Sequence, residues 1–200
     1  MDEEAKSLLI IFYRNPEIGK VKTRLAATVG DRKALEIFQR LSLHIKTITE
    51  NLKMDKIVFY SEAIDLMDKW PNATYLKALQ QGEDLGERMK NAFEAGFETG
   101  YSSICIIGTD CYELTSEVIL RAFEALKSSD AVIGPAKDGG YYLLGTNKPQ
   151  PELFQNKEWS TETVFKETIR DFESLQLTYA QLQTLNDVDT EDDLPPELKD

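Results

Sequence analysis

The run Ser103-Ile104-Cys105-Ile106-Ile107-Gly108-Thr109-Asp110-Cys111 limits the possible folds more than any other stretch of this chain. Five residues with at most a weak polar handle lead into a glycine, and an acid stands just beyond it. A short apolar run closed by a turn residue reads as a strand buried on both faces, the kind found in parallel sheets. Asp110 then falls in the loop at the carboxyl end of that strand, where open α/β sheets bind their ligands. A carboxylate there can hold a hard divalent cation against phosphate oxygens. The plainer reading is an Asp that caps the next helix, beginning near Thr115.

Strand-like runs alternate with helical patterns through almost the whole length, which is the α/β signature. Leu8 to Tyr13 reads as the first, central strand. Asp31 to Leu52 reads as a long helix whose Ala34, Phe38, Leu41, Ile45, Ile48 and Leu52 form one apolar stripe. His44 flanks that stripe and reads as a helix-surface residue. Lys56 to Ser61 is a second strand, Ala63 to Trp70 a short helix ended by Pro71, and Ala73 to Leu79 an edge-like strand. Val118 to Leu126 carries another helical stripe, and Asp130 to Ala136 a further strand. Asp138-Gly139-Gly140 between two apolar runs is a hairpin signal, so an antiparallel element joins the sheet there. Ser160, Thr161 and Thr163 are fit to cap a helix, with Glu162 in its first turn. Leu175 to Tyr179 closes the sheet.

The 200 residues suit one domain spanning 1–200, with a formal charge of -12. That charge argues against a nucleic-acid partner and against an anionic membrane surface. No apolar run approaches the roughly 20 residues of a membrane span. Met1-Asp2-Glu3-Glu4 is acidic where a signal peptide is basic, and Leu8 to Phe12 is too short for its apolar core. Two cysteines, Cys105 and Cys111, match neither a disulfide framework nor a zinc site, and read as reduced thiols in a cytoplasmic protein.

Within this acidic chain, Arg14 to Arg24 holds four cations, Arg14, Lys20, Lys22 and Arg24, against one acid, Glu17. Pro16 and Gly19 bend the backbone, and the cations can converge on one polyphosphate. The spacing is not that of a Walker loop, and a solvated basic loop is the competing reading. Gln80 to Met89 is a second glycine-bearing loop that opens a helix; Gly82 and Gly86 would let a flat base approach the main chain, or serve only as turn residues. Asp138, Gly139 and Gly140 line an acceptor pocket or simply form the hairpin. Near the end, Asp187 and Asp189 alternate with Val188, so that one of them can meet Asp110 across a metal.

Phe12 to Leu25 resembles the Phe-x-Lys-x-Pro-x-x-Gly-x-Val-Lys-Thr-Arg-Leu opening of a bacterial and archaeal family of small glycosyltransferase-A-like proteins. Gly108-Thr109-Asp110, Gly134 to Gly145, Trp159-Ser160-Thr161 and Asp187-Val188-Asp189-Thr190-x-x-Asp193-Leu194 match the same family in order. That family is similar to phospholactate guanylyltransferases, molybdenum-cofactor nucleotidyltransferases and other nucleotide-diphospho-sugar transferases. The resemblance implies a Rossmann-like three-layer sandwich with a mixed, mainly parallel sheet, nucleotide over the first half and acceptor over the second. It implies Asp110 and Asp189 as ligands of Mg²⁺ or Mn²⁺, and Arg14, Gly19, Lys20, Lys22 and Arg24 around the phosphates. Gly82 and Gly86 would lie near the base; Asp138, Gly139, Gly140, Trp159, Ser160 and Thr161 would meet the acceptor. Arg14 and Asn15 depart from the family pattern, as does Tyr112, where a proline commonly follows Asp-Cys.

The expected activity is metal-dependent nucleotidyl transfer from a nucleoside triphosphate to a phosphorylated small molecule, with Lys22, Arg24 and Asp110 at its centre. Glycosyl transfer from a nucleotide sugar is the alternative, and a non-catalytic nucleotide-binding module a third. The chain offers no His, Ser or Cys constellation for nucleophilic catalysis, and an ionised acceptor phosphate needs none.

Overall fold

The computed structural model describes residues 6–199; the acidic start Met1 to Glu4 lies outside the described residues. One seven-stranded sheet runs in the order β3-β2-β1-β4-β6-β5-β7. Its strands are β1 (Ser7–Tyr13), β2 (Asp55–Tyr60), β3 (Leu76–Leu79), β4 (Ser103–Ile107), β5 (Ala131–Pro135), β6 (Tyr141–Thr146) and β7 (Tyr179–Gln181). Only β6 runs against the rest, antiparallel to both β4 and β5. The others pair in parallel, so the sheet is mixed and mainly parallel.

Alternation along the inner strands explains the three layers. Leu9, Ile11 and Tyr13 pack on one face with Phe38, Ile45, Ile119 and Phe123. Those partners come from α2 (Asp31–Thr49) and α4 (Ser116–Ala125). Leu8 and Ile10 face the other side with Met89, Phe93 and Phe172, from α3 (Leu85–Glu98) and α5 (Val164–Ser174). Burying each such side chain contributes about 1.5–3 kcal/mol. A smaller cluster sets Leu25 of α1 (Thr23–Val29) and Ile37 against Val188, Leu194 and Leu198, the last on the terminal turn α6 (Pro196–Lys199). The carboxyl-terminal segment is thereby anchored beside the first loop. Among the described residues no helix is long and apolar enough to cross a membrane.

Several boundaries differ from the sequence expectation. Ala63 to Trp70 forms turns rather than a helix. There the Asp65 and Asp68 carboxylates accept from the amides of Met67 (2.8 Å) and Trp70 (3.0 Å), offering the backbone an alternative to helical bonding. Trp70 is then pinned edge-on to Tyr13 and Tyr75. The last strand begins only at Tyr179, and the edge strand only at Leu76. Helix α1 goes unannounced by any periodic stripe. Helix α5 starts at Val164 with no side-chain cap: Thr163, at the cap position, already has helical backbone angles (φ −95°, ψ −16°), and its hydroxyl meets that of Thr161 at 3.0 Å. Helix α4 is capped by Thr115, so Asp110 is free of that duty.

Candidate active site

Strand β1 lies between β2 and β4, and its two neighbours are reached by crossovers leading opposite ways, which opens a crevice at the strands' carboxyl ends. A cleft of about 700 Å³ occupies that place. Arg14, Lys22, Arg24, Asp110, Asp138, Gly140, Trp159, Ser160, Thr161 and Asp189 all line it. Residues from the loop after β1, the loop after β4, the β5–β6 turn and the carboxyl-terminal segment thus share one cavity.

Its centre is built around Lys22. This residue holds a left-handed conformation (φ 49°, ψ 46°) at the start of α1, which aims its side chain inward. The side chain is only 4% exposed; its Nζ lies 2.9 Å from Asp110 Oδ2 and donates to the Val188 carbonyl at 2.5 Å. The Val188 amide in turn donates to the Asp110 carbonyl at 2.9 Å. One ammonium therefore ties three separate loops together.

Beside this knot stand two acid oxygens, Asp110 Oδ1 and Asp187 Oδ1, both buried without a hydrogen-bond partner. Burial, the Asp110 charge and the Asp138 charge push the Asp187 carboxyl up to about 7, against the opposing pull of Lys22. Asp189, the second acid implied by the family resemblance, lines the same cleft but pairs with Arg24 Nη1 at 2.8 Å. Asp193 is occupied with the backbone and hydroxyl of Thr190, closing a short 3₁₀ turn. Among the described residues no group of three or more His, Cys, Asp or Glu side chains is arranged to hold a metal. Two unpartnered carboxylate oxygens nevertheless suit a hard cation that takes its remaining ligands from water and substrate phosphates, as Mg²⁺ does.

The remaining predicted residues divide. Arg14 faces the cleft while its Nη1 donates to the Lys20 carbonyl at 3.3 Å. Lys20 itself lies outside the lining, paired with Glu17 (2.7 Å) and Glu62 (3.9 Å). Gly19 and Gly82 also lie outside the lining; the Gly82 carbonyl accepts from Arg88 Nε at 3.0 Å. Gly86 is a packing requirement, since a Cβ there would sit 2.2 Å from Trp159 Nε1. Gly139 is required twice over, with φ +89° and a Cβ position 2.2 Å from the Glu162 carbonyl. Arg88, Tyr141 and Gln80 line the cleft and were not singled out in the sequence. Arg88 lies in the first turns of α3, within the glycine-bearing stretch Gln80 to Met89, and was legible there as a cation; Tyr141 carries no such signal. Tyr112, at a position where proline is common in the resembling family, packs against His44 with ring centroids 4.7 Å apart and planes tilted by 42°.

The sheet order, the single reversed strand and the cleft at the carboxyl ends define a protein of the nucleotide-diphospho-sugar transferase fold. The chain belongs to the family described as "Uncharacterized protein conserved in bacteria (DUF2064)", whose profile matches residues 44–161. It is 35% identical to a Desulfovibrio desulfuricans G20 protein described as a "putative nucleotide-diphospho-sugar transferase", with a TM-score of 0.85 over 92% of this chain and 82% of that one. The Mycobacterium tuberculosis rv0371c homolog from Mycobacterium sp. strain JC1 superposes with a TM-score of 0.61 at 14% identity, covering 97% and 96% of the two chains. The inositol-1-phosphate CTP transferase from T. maritima superposes with a TM-score of 0.57 at 14% identity, covering 97% and 94%. These last two likenesses establish the fold alone. No curated protein gives a significant match.

Proposed function

We propose that this protein transfers a nucleotidyl group from a nucleoside triphosphate to a phosphorylated small molecule and releases pyrophosphate. The observation that carries the reading is the Lys22–Asp110 pair, set beside two unpartnered acid oxygens and the guanidinium groups of Arg14 and Arg24. A crevice with that mixture of charge suits a polyphosphate loaded with a divalent cation. The description of the D. desulfuricans relative as a nucleotide-diphospho-sugar transferase supports the use of a nucleotide.

Asp110 and Asp187 would hold the cation, with Asp189 joining them if Arg24 exchanges its carboxylate for a phosphate. A bound Mg²⁺ or Mn²⁺ would neutralise charge on the leaving pyrophosphate. Arg14 and Arg24 would grip the β and γ phosphates through planar, multiply donating heads. Lys22, already desolvated, would hold Asp110 in place and present its remaining donor to the phosphate chain. An oxygen of the acceptor phosphate forms the new bond to the α-phosphorus as the bond from that phosphorus to the bridging oxygen breaks. The attacking oxygen is already ionised, so no side chain has to take a proton.

Pyrophosphate release is the test. The protein is incubated with each nucleoside triphosphate, Mg²⁺ and a panel of phosphomonoesters, and pyrophosphate is measured. Formation with at least one pair supports the reading. Release of a nucleoside diphosphate from a sugar nucleotide instead would replace it with glycosyl transfer. Nucleotide binding with no turnover in either assay would leave a binding module.

A further inference from the structure

The lysine and arginine side chains that line the cleft come from one side of it, among acids as well as neutral residues. Its cations, Arg14, Lys22, Arg24 and Arg88, come from the loop after β1, from α1 and from α3. The opposite wall, contributed by the β5–β6 turn and the segment before α5, presents Asp138, Tyr141, Trp159, Ser160 and Thr161. That wall supplies no lysine or arginine to the lining. Lys157, two residues from Trp159, points elsewhere: its side chain is 2% exposed and paired with Asp171.

The acid on this wall is held in place. Asp138 Oδ1 accepts from the Gly140 amide at 2.9 Å, which fixes the carboxylate at the cleft edge. An anionic substituent lodged here would stand beside the like charge of Asp138, and no lysine or arginine of this wall lines the cleft to offset it; Lys137 of the same turn is exposed outside the lining. A hydroxyl would instead donate to Asp138 and exchange hydrogen bonds with Ser160. Carbon-bound hydrogens would find the faces of Tyr141 and Trp159. Trp159 is itself seated against Gly86, so that ring is fixed rather than adaptable.

We propose that the acceptor carries no anionic group beyond the phosphate that reacts. The rest of it, lying over the β5–β6 turn and the Trp159–Thr161 segment, bears hydroxyls and is uncharged or cationic. This inference rests on the transfer reading above, and adds a selection against carboxylate-bearing acceptors.

Matched pairs of phosphomonoesters test it, each pair differing by one carboxylate in place of one CH₂OH. Glycerol 3-phosphate against 3-phosphoglycerate is one such pair, and sorbitol 6-phosphate against 6-phosphogluconate another. Two readouts are taken: kcat/KM for pyrophosphate release, and thermal stabilisation of the nucleotide-loaded protein. The hydroxyl member should exceed the carboxylate member by at least about tenfold, the size expected for one unpaired like-charge contact. In Asp138→Asn the amide oxygen still accepts from Gly140, so the turn survives without the charge, and the preference should shrink severalfold. Equal behaviour within the pairs, including no binding by either member, would overturn the inference. A carboxylate preference, or a preference unchanged by Asp138→Asn, would do the same. Absence of pyrophosphate with a clear ranking in the binding readout would count against the transfer reading while upholding the acceptor class.

Discussion

Lys22 and Asp110, separated by almost half the chain, meet at 2.9 Å, and the lysine is the more deeply buried of the two. Its ammonium also takes the Val188 carbonyl, so the loops after β1 and β4 and the carboxyl-terminal segment are joined at one point. This knot is both a structural tie and the core of the proposed chemistry, and the two roles give different predictions.

Lys22→Gly separates them on the stability side. Glycine adopts φ 49° without strain, so the substitution should relieve about 1 kcal/mol of backbone cost if the ammonium contributed nothing. Loss of the pair should outweigh this and leave the protein destabilised by about 1–2 kcal/mol net, less than for a fully buried pair because Asp110 is half open to water. Urea unfolding measures it; a stabilised variant would show that the ion pair carries no weight.

On the activity side, Asp110→Asn and Lys22→Met should each lower pyrophosphate formation by about 10²–10³, the usual cost of losing one transition-state electrostatic contact. Near-normal turnover in either would remove that residue from the reaction.

Asp187 makes stability depend on pH. Its carboxyl is raised from 3.8 to about 7. The folded state therefore binds its proton more tightly than the unfolded state does. Stability from this group is fully present below about pH 4 and is lost as pH rises toward 7 and beyond. In EDTA, Asp187→Asn should be nearly neutral at pH 3.5 and stabilising by on the order of a few kcal/mol at pH 8. Denaturant midpoints at the two pH values check this; a difference that does not grow with pH would contradict it.

Gly86→Ala probes the seating of Trp159. The new methyl would start 2.2 Å from the indole nitrogen, so the ring must move out of the cleft wall. The overpacking should cost about 1–3 kcal/mol. Trp159 emission should shift to the red, and the acceptor KM should rise more than the nucleotide KM. Unchanged fluorescence in a Trp70→Phe background would show that the ring adjusts in place.

Much of this architecture was legible because periodicity is a local property. The runs in β1 and β4, the stripe on α2 and the Asp-Gly-Gly turn each announce themselves within a dozen residues. The false helix at Ala63 to Trp70 arose because the Asp65 and Asp68 turns look helical in composition. The site was legible only as a set of loops. Nothing local says that Lys22 reaches a carbonyl 166 positions away. Nor does it say that Asp189 pairs with Arg24 while Asp187 turns a buried oxygen toward the cleft. In Asp-Val-Asp the alternation offers two acids, and the packing of Val188 into the small α1–α2 cluster decides how each is placed.

A divalent cation and a nucleotide should assemble together on Asp110. Thermal unfolding of wild type and Asp110→Asn, with a nucleoside triphosphate in either Mg²⁺ or EDTA, tests it most directly. Wild type should gain roughly 5–10 °C with nucleotide and Mg²⁺ at saturation, and clearly less in EDTA. Asp110→Asn should show the same small gain in both. A Mg²⁺-dependent gain that survives in Asp110→Asn, or no gain in wild type with any nucleotide, would contradict the account.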